Sequence, residues 1–481
     1  MASASIVLFS SALRLADNAA LQAAVDAGGP IVPVYVFDEH SPKVRPLGGA
    51  SKWWLLQSLT SLQQDLHERG SDLVIRCGNT ADCVAELATE IGATRVMVTR
   101  GYTPGAVAAE QALHKTLGQL KLECRRFGGN LLLEPEMVRT KTGTKYTVFT
   151  PYWRTASELI DTTEPQPAPA IIPAPERWPE GQTIGSLGLE PKPAHWAEPI
   201  AAHWQPGEEG ARERLAEFLE GPVQTYKQAR DFPATDATSS LSPHLAFGEI
   251  SPRTLWFETK KHMEENKADV IGGAHFLREL GWREFSTHLL FHFPEMQTQP
   301  MRTQFANFPW RKGHSDMVRA WQKGQTGFPI VDAGMRQLWQ TGWMHNRVRM
   351  IVASFLVKDL LWHWHEGEAW FWDTLVDADF ANNIASWQWV AGCGADASPY
   401  FRIFNPTTQG EKFDKAGAYV RRFVPELANL PDKYIHDPSE APAGVLEMAG
   451  IKLGETYPKP IIDRKQARAE ALAALASIKQ V

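Results

Sequence analysis

The sequence predicts two parts of different class: an α/β N-terminal part on a parallel, Rossmann-like sheet, and an all-α C-terminal part. Three observations carry this. Between residues 5 and 126 short apolar runs alternate with amphipathic stretches, the pattern of a parallel sheet covered on both faces. Residues 160–206 are rich in Pro, Ala and Glu, a composition suited to an extended segment lying over a surface. From about residue 207 onward the apolar spacing is almost wholly helical. The expected boundaries are 1–130 for the α/β domain, 131–206 for the joining segment and 207–481 for the helical domain. A chain of 481 residues makes two domains the natural expectation.

Taken in order, strands are expected at SIVLF, IVPVYVF, DLVIRC, RVMVT and LECRRF, with helices near 18–27, 50–68, 80–92 and 105–118. No G-x-G-x-x-G follows the first strand, so the ordinary dinucleotide fingerprint is absent. The start, MASASIVLFSS, lacks a basic region and a cleavage site and reads as a strand rather than a signal peptide. No stretch is long and apolar enough to span a membrane. Cys77, Cys83, Cys124 and Cys393 show no metal-ligand spacing and read as reduced thiols of a cytoplasmic protein, with no metal expected.

With 43% hydrophobic and 22% charged residues the composition is ordinary for a globular protein. Eighteen Trp residues are not ordinary, and most lie after residue 190. Such a half suits stacking, electron transfer or a large aromatic core. A net charge of −6 argues against a globally basic nucleic-acid binder. Residues 276–350 nevertheless carry ten Lys or Arg against five Asp or Glu, which suits a local grip on a phosphate backbone and equally a solvated helical face.

Residues 377–406, DADFANNIASWQWVAGCGADASPYFRIFNP, are the most informative run. A plain core would not place Asp377, Asp379, Asn382 and Asn383 beside Trp387 and Trp389 without partners for them. A flavin supplies partners: its edge offers N–H and C=O groups, and its flat body suits Trp. The same residues also read as a helix start with Asp and Asn caps. Upstream, Thr238, Ser239, Ser240, Leu241 and Ser242 precede Pro243, giving hydroxyls and free backbone N–H groups fit to cradle a diphosphate, or a simple capped turn. Tyr226 and Arg230 lie close upstream and could close the same pocket. Glu279, Trp282 and Arg283 share one helical face by their spacing, as do Asn346 and Met350. Arg349 is spaced to pair an acid such as Asp377. Trp310, Trp364 and Trp387 are too far apart for spacing to relate them.

The motifs TSSLSPHLAFGEIS, LGWREF, GFPIVDAGMRQL, GWMHNRVRMIVASFLVKDLL and DADFANN with the WQW that follows are long and specific. On them the chain resembles the DNA photolyase/cryptochrome family over nearly its whole length. GGASKWW, TPYWR and YVRRFVPEL look most like class III cyclobutane pyrimidine dimer (CPD) photolyases, the branch nearest plant cryptochromes.

The resemblance implies roles. Tyr226 and Thr238 to Ser242 would hold the diphosphate of FAD. Asp377, Ala378 and Asp379 would meet the flavin and its sugar side, Arg349 would pair Asp377, and Asn383 would face the flavin N5. Trp387, Trp364 and Trp310 would pass electrons inward. Glu279, Trp282, Asn346 and Met350 would contact the dimer, with Trp389 stacking near it. Arg230, Arg283, Arg347, Arg402 and Gln409 would serve DNA. A folate antenna of the methenyltetrahydrofolate kind would rest near Trp53 and Trp54. The run Leu8 to Asn18 lacks the Trp, first Arg and first Asp that open the family's sequences, which touches the antenna side.

The expectation is therefore light-driven repair of CPDs by a monomeric flavoprotein. The rivals are a signalling cryptochrome without repair activity and a (6-4) photolyase. Plant cryptochromes carry Asp where Asn383 stands, and cryptochromes usually carry an extension beyond the homology region, which is absent here.

Overall fold

The computed structural model describes residues 3–161, 163–313, 315–396 and 401–478. The chain forms two compact units, each interrupted in sequence. The first holds the chain up to Gln224 with Ser239–Pro294 and Val376–Ala381; the second holds Thr225–Thr238, Glu295–Leu375 and the chain from Asn382 onward.

The five expected strands form one parallel sheet in the first unit. They are β1 (Ser5–Phe9), β2 (Ile31–Phe37), β3 (Val74–Cys77), β4 (Arg95–Thr99) and β5 (Glu123–Phe127), in spatial order β3-β2-β1-β4-β5. Ile6 of β1 aligns with Val32 on one side and Val96 on the other. Parallel pairing demands crossovers, and the helices α1 (Ala19–Ala27), α2 (Gly49–His67), α3 (Thr80–Ile91) and α4 (Pro104–Gln119) supply them. Side chains of β1 alternate between two cores: Val7 and Phe9 enter one, Ile6 and Leu8 the other. Helix starts follow local chemistry. The side chain of Asn18 accepts from Leu21 N at 3.1 Å, and that of Asn79 from Ala81 N at 3.0 Å. α3 stops at Gly92, whose φ of +63° is left-handed.

The Pro-rich segment is bound to the sheet rather than loose. Gln182 N donates to Ile75 O at 3.0 Å, an antiparallel bridge on the edge strand β3. This covers an edge that would otherwise offer unpaired groups. Ile172, Leu187 and Leu189 are buried in the core beside β1, and burying each contributes roughly 1.5–3 kcal/mol. Trp54 is fully buried and its indole N–H donates to Glu249 at 3.0 Å, while Trp53 is 5% exposed. Both rings are core walls rather than open faces.

The altered opening run has its own purpose. Arg14 is buried and donates to Gly248 O at 2.9 Å and Gly129 O at 2.8 Å. Burial holds its guanidinium down to about 10, still charged at neutral pH. Glu208 accepts from Leu15 N at 2.7 Å, and Asp17 pairs with Arg253.

The second unit is helical. Its buried anchor is Asp332, which accepts from Thr326 N at 2.7 Å, Gly327 N at 3.0 Å and the Tyr457 hydroxyl at 2.8 Å. Among the described residues no helix is long and apolar enough to cross a membrane.

Candidate flavin and DNA site

The hydroxyl-rich turn falls where the chain leaves Thr238. Ser240 adopts φ +51°, a left-handed backbone that Ser rarely takes. Such a residue turns successive N–H groups toward one concavity, which suits an anion. Leu241 is buried beneath the turn, and the helix Ser242–Ala246 follows. His244 inside it is buried against Glu249, Nδ1 to carboxylate 2.5 Å, and Glu249 also holds Trp54. The turn is thus pinned from behind by groups that spacing did not reveal.

In the first unit Asp377 is buried, while Ala378 and Asp379 are half-buried just before the helix Phe380–Ala391. In the second unit Asn383 is 8% exposed, and its amide nitrogen donates to Glu368 O at 3.0 Å and Glu368 Oε1 at 2.8 Å. With both N–H groups committed, the Asn383 oxygen is left as an acceptor. Glu368 was missed in the sequence because it sits fifteen residues away on another helix. Arg349 Nε donates to Met344 O at 2.7 Å, and its guanidinium lies 5.8 Å from the Trp343 ring centre. Tyr226 is buried, with Arg230 over its ring at 5.4 Å.

The second unit also brings the tryptophans into relation. Trp387 and Trp364 are each 2% exposed, whereas Trp310 is half-buried. Gly367, one turn beyond Trp364 on the helix Trp364–Thr374, lets the outer edge of the Trp387 ring approach the backbone. A Cβ there would come within 2.0 Å of the ring. His363 bridges outward: its ring centre is 5.7 Å from Trp364 and 6.0 Å from Trp310. Burial, with help from His365 and Lys312, lowers the His363 pKa to about 4, so it is neutral at pH 7. Sequence reading missed His363, Trp321 and Phe371; the last two rings stand 6.4 Å and 5.0 Å from Trp387.

The residues assigned to lesion and DNA fall in both units. In the first, Glu279, Trp282 and Arg283 are half-buried along the helix Val270–His292. Trp282 stacks on Phe149 at 3.7 Å with planes 10° apart, and Arg283 Nη1 donates to Glu284 at 3.0 Å. In the second, Asn346 is exposed and Met350 half-buried one turn on in the helix Asn346–Ser354. Arg347 sits beside them, 2.8 Å from Asp231 and 4.5 Å above the Phe413 ring. Trp389 and Gln409 are half-buried and Arg402 is exposed. Residues 397–400 of the DASPYF motif lie outside the described residues.

These groups fit an FAD by their chemistry: a left-handed hydroxyl turn for phosphate, two carboxylates for N–H and hydroxyl donors, and an amide oxygen for a ring N–H. Comparison with known proteins agrees. Residues 5–173 match the DNA photolyase family model, and residues 276–477 the model for the FAD binding domain of DNA photolyase. The deoxyribodipyrimidine photo-lyase of Agrobacterium fabrum is 50% identical over 478 residues, covering 99% of this chain and 98% of that protein. Cryptochrome-2 of Arabidopsis thaliana is 38% identical over 96% of this chain and 77% of its own length. The crystal structure of a bacterial class III photolyase from Agrobacterium tumefaciens superposes with a TM-score of 0.96 at 49% identity, covering 100% of this chain and 98% of that one. The chain belongs to the DNA photolyase/cryptochrome family.

Proposed function

We propose that this protein is a deoxyribodipyrimidine photolyase that repairs CPDs in DNA under light. The observation that carries this is Asn383. Its amide spends both N–H groups on Glu368 and presents an oxygen, which suits the N–H of a reduced flavin ring. The carboxylate that plant cryptochromes carry there would instead face the Glu368 carboxylate, so the pair favours repair over signalling. The identity to a photo-lyase across nearly the whole chain supports the same reading.

FAD would be held by Tyr226, Thr238 and Ser239 to Ser242 at its diphosphate and by Asp377 to Asp379 at its sugar and ring, with Arg349 balancing the acidic charge. When bound and reduced, it supplies the light-excited electron that splits a cyclobutane ring and is then recovered. The chain's task is placement. Trp282, already locked against Phe149, and Met350 offer firm apolar surfaces to the thymine rings. Glu279 and Asn346 offer hydrogen bonds to base edges. Arg230, Arg283, Arg347, Arg402 and Gln409 grip the strand while the dimer leaves the stack. Trp387, Trp364 and Trp310 refill the flavin site from outside.

The same reading includes a folate antenna on the α/β unit, and a monomer acting in the cytoplasm. Trp53 and Trp54 would back such a seat from within the core rather than stack on it. The test is an absorption spectrum of the purified protein followed by illumination with a dimer-containing oligonucleotide. A flavin spectrum with dimer loss upholds the proposal; flavin with no dimer loss after chemical reduction rejects it.

A further inference from the structure

A cavity of about 350 Å³ opens inside the second unit beside the outer end of the tryptophan series. Two of the three rings, Trp310 and Trp364, line it, together with Lys312, Glu366, Gln299 and Thr298. Its walls are fixed by hydrogen bonds. On one side Arg311 N donates to Leu361 O at 2.8 Å and His363 N to Arg311 O at 3.0 Å. On the other, the buried Gln388 side chain donates to Gln299 O at 2.9 Å and Met296 O at 2.6 Å and accepts from Met301 N at 3.0 Å. Lys312 is exposed and makes no ion pair among the described residues, whereas its neighbour Arg311 is spent on Glu470 at 3.1 Å. The lining thus combines an uncommitted cation, hydroxyl and amide groups, a carboxylate able to accept from a hydroxyl, and an oxidisable ring.

We infer that this cavity is a docking site for a small anionic reductant of the ene-diolate class, which refills the series at Trp310. The inference rests on the reading of Trp387, Trp364 and Trp310 as an electron path. A polyhydroxylated monoanion matches the lining: its charge meets Lys312, and its hydroxyls meet Gln299, Thr298 and Glu366. The step balances. Trp310, after giving up one electron inward, loses its indole proton to water. The ene-diolate monoanion then returns one electron and its hydroxyl proton to the ring nitrogen and departs as its one-electron-oxidised radical anion. Neutral His363 between the two rings adds no positive charge against the vacancy moving outward.

The test uses the flavin-loaded protein and ascorbate. In the dark, saturation-transfer NMR should show saturable ascorbate binding that weakens at least tenfold in Lys312→Glu and in Ala306→Trp, the latter filling the cavity. Under light, the photoreduction rate should rise hyperbolically with ascorbate in the parent and linearly in both variants. With neutral dithiothreitol, parent and Lys312→Glu should match. Dimer repair by chemically reduced Lys312→Glu should equal that of the parent. Dark binding that does not saturate, or equal binding in parent and variants, overturns the inference. Unslowed photoreduction in Trp387→Phe would instead strike the electron-path reading, which the dark binding measurement does not depend on.

Discussion

Asn383 and Glu368 form a buried amide–carboxylate pair, so a change at either acts on the other. In Asn383→Asp two carboxylates would face each other away from water, and one must take up a proton or move. The expected cost is about 1–3 kcal/mol in urea unfolding, with weaker flavin retention, and Glu368→Gln added to Asn383→Asp should restore both. No loss in the single variant would show that the pair does not constrain the site. At this scale the sequence was only partly legible. Asn383 and Asp377 stood out as candidates because polar residues among tryptophans need partners, and the Ser240 turn because its hydroxyls crowd just before Pro243. Glu368, Glu249 and His363 were not, because each reaches its partner from a distant segment or from a position that looks like ordinary helix.

The helix Phe380–Ala391 brings Trp387 against the helix that begins at Trp364, where Gly367 admits the ring. Spacing could not show this, since twenty-three residues separate the rings. Trp387→Phe should slow flavin photoreduction severely under blue light with an external reductant, while chemically reduced enzyme keeps its repair activity. A photoreduction rate equal to the parent's would remove Trp387 from the path. A neighbouring element carries a pH signature. Lys358 lies in the π-helical turn Phe355–Asp359, 4% exposed, and donates to Arg402 O. Burial lowers its pKa from 10.5 to about 7. Between those values the unfolded chain holds a proton that the folded chain has released, so this group's contribution to stability rises with pH across that window. The unfolding free energy of the parent minus that of Lys358→Met should therefore climb from pH 7 to 10. A flat difference would mean that Lys358 stays charged when folded.

The whole molecule carries a net charge of −6, yet four of the five residues assigned to the DNA strand are arginines. Affinity for dimer DNA should then fall steeply with salt, and Arg402→Gln, at an exposed position, should reduce the log–log slope by about 1. An unchanged slope would remove Arg402 from the phosphate contacts. The sheet was legible to the residue for three of its five strands and within two residues for β3 and β5, because strand-helix alternation and apolar runs leave few arrangements. What sequence could not show was how far Ile172, Leu187 and Leu189 bind the Pro-rich segment to the core: composition reports extension, not anchorage. Substrate choice is the central claim at this scale. Asn346 and Met350 stand one turn apart on a helix, and neither can move a proton near neutral pH. A dimer needs none, whereas a (6-4) photolyase carries histidines at these two positions and moves a proton with one of them. The most direct test gives the fully reduced protein matched oligonucleotides, one with a CPD and one with a (6-4) lesion, under the same light. Repair of the dimer alone is the expected result; repair of the (6-4) lesion, or failure on the dimer, would contradict the account.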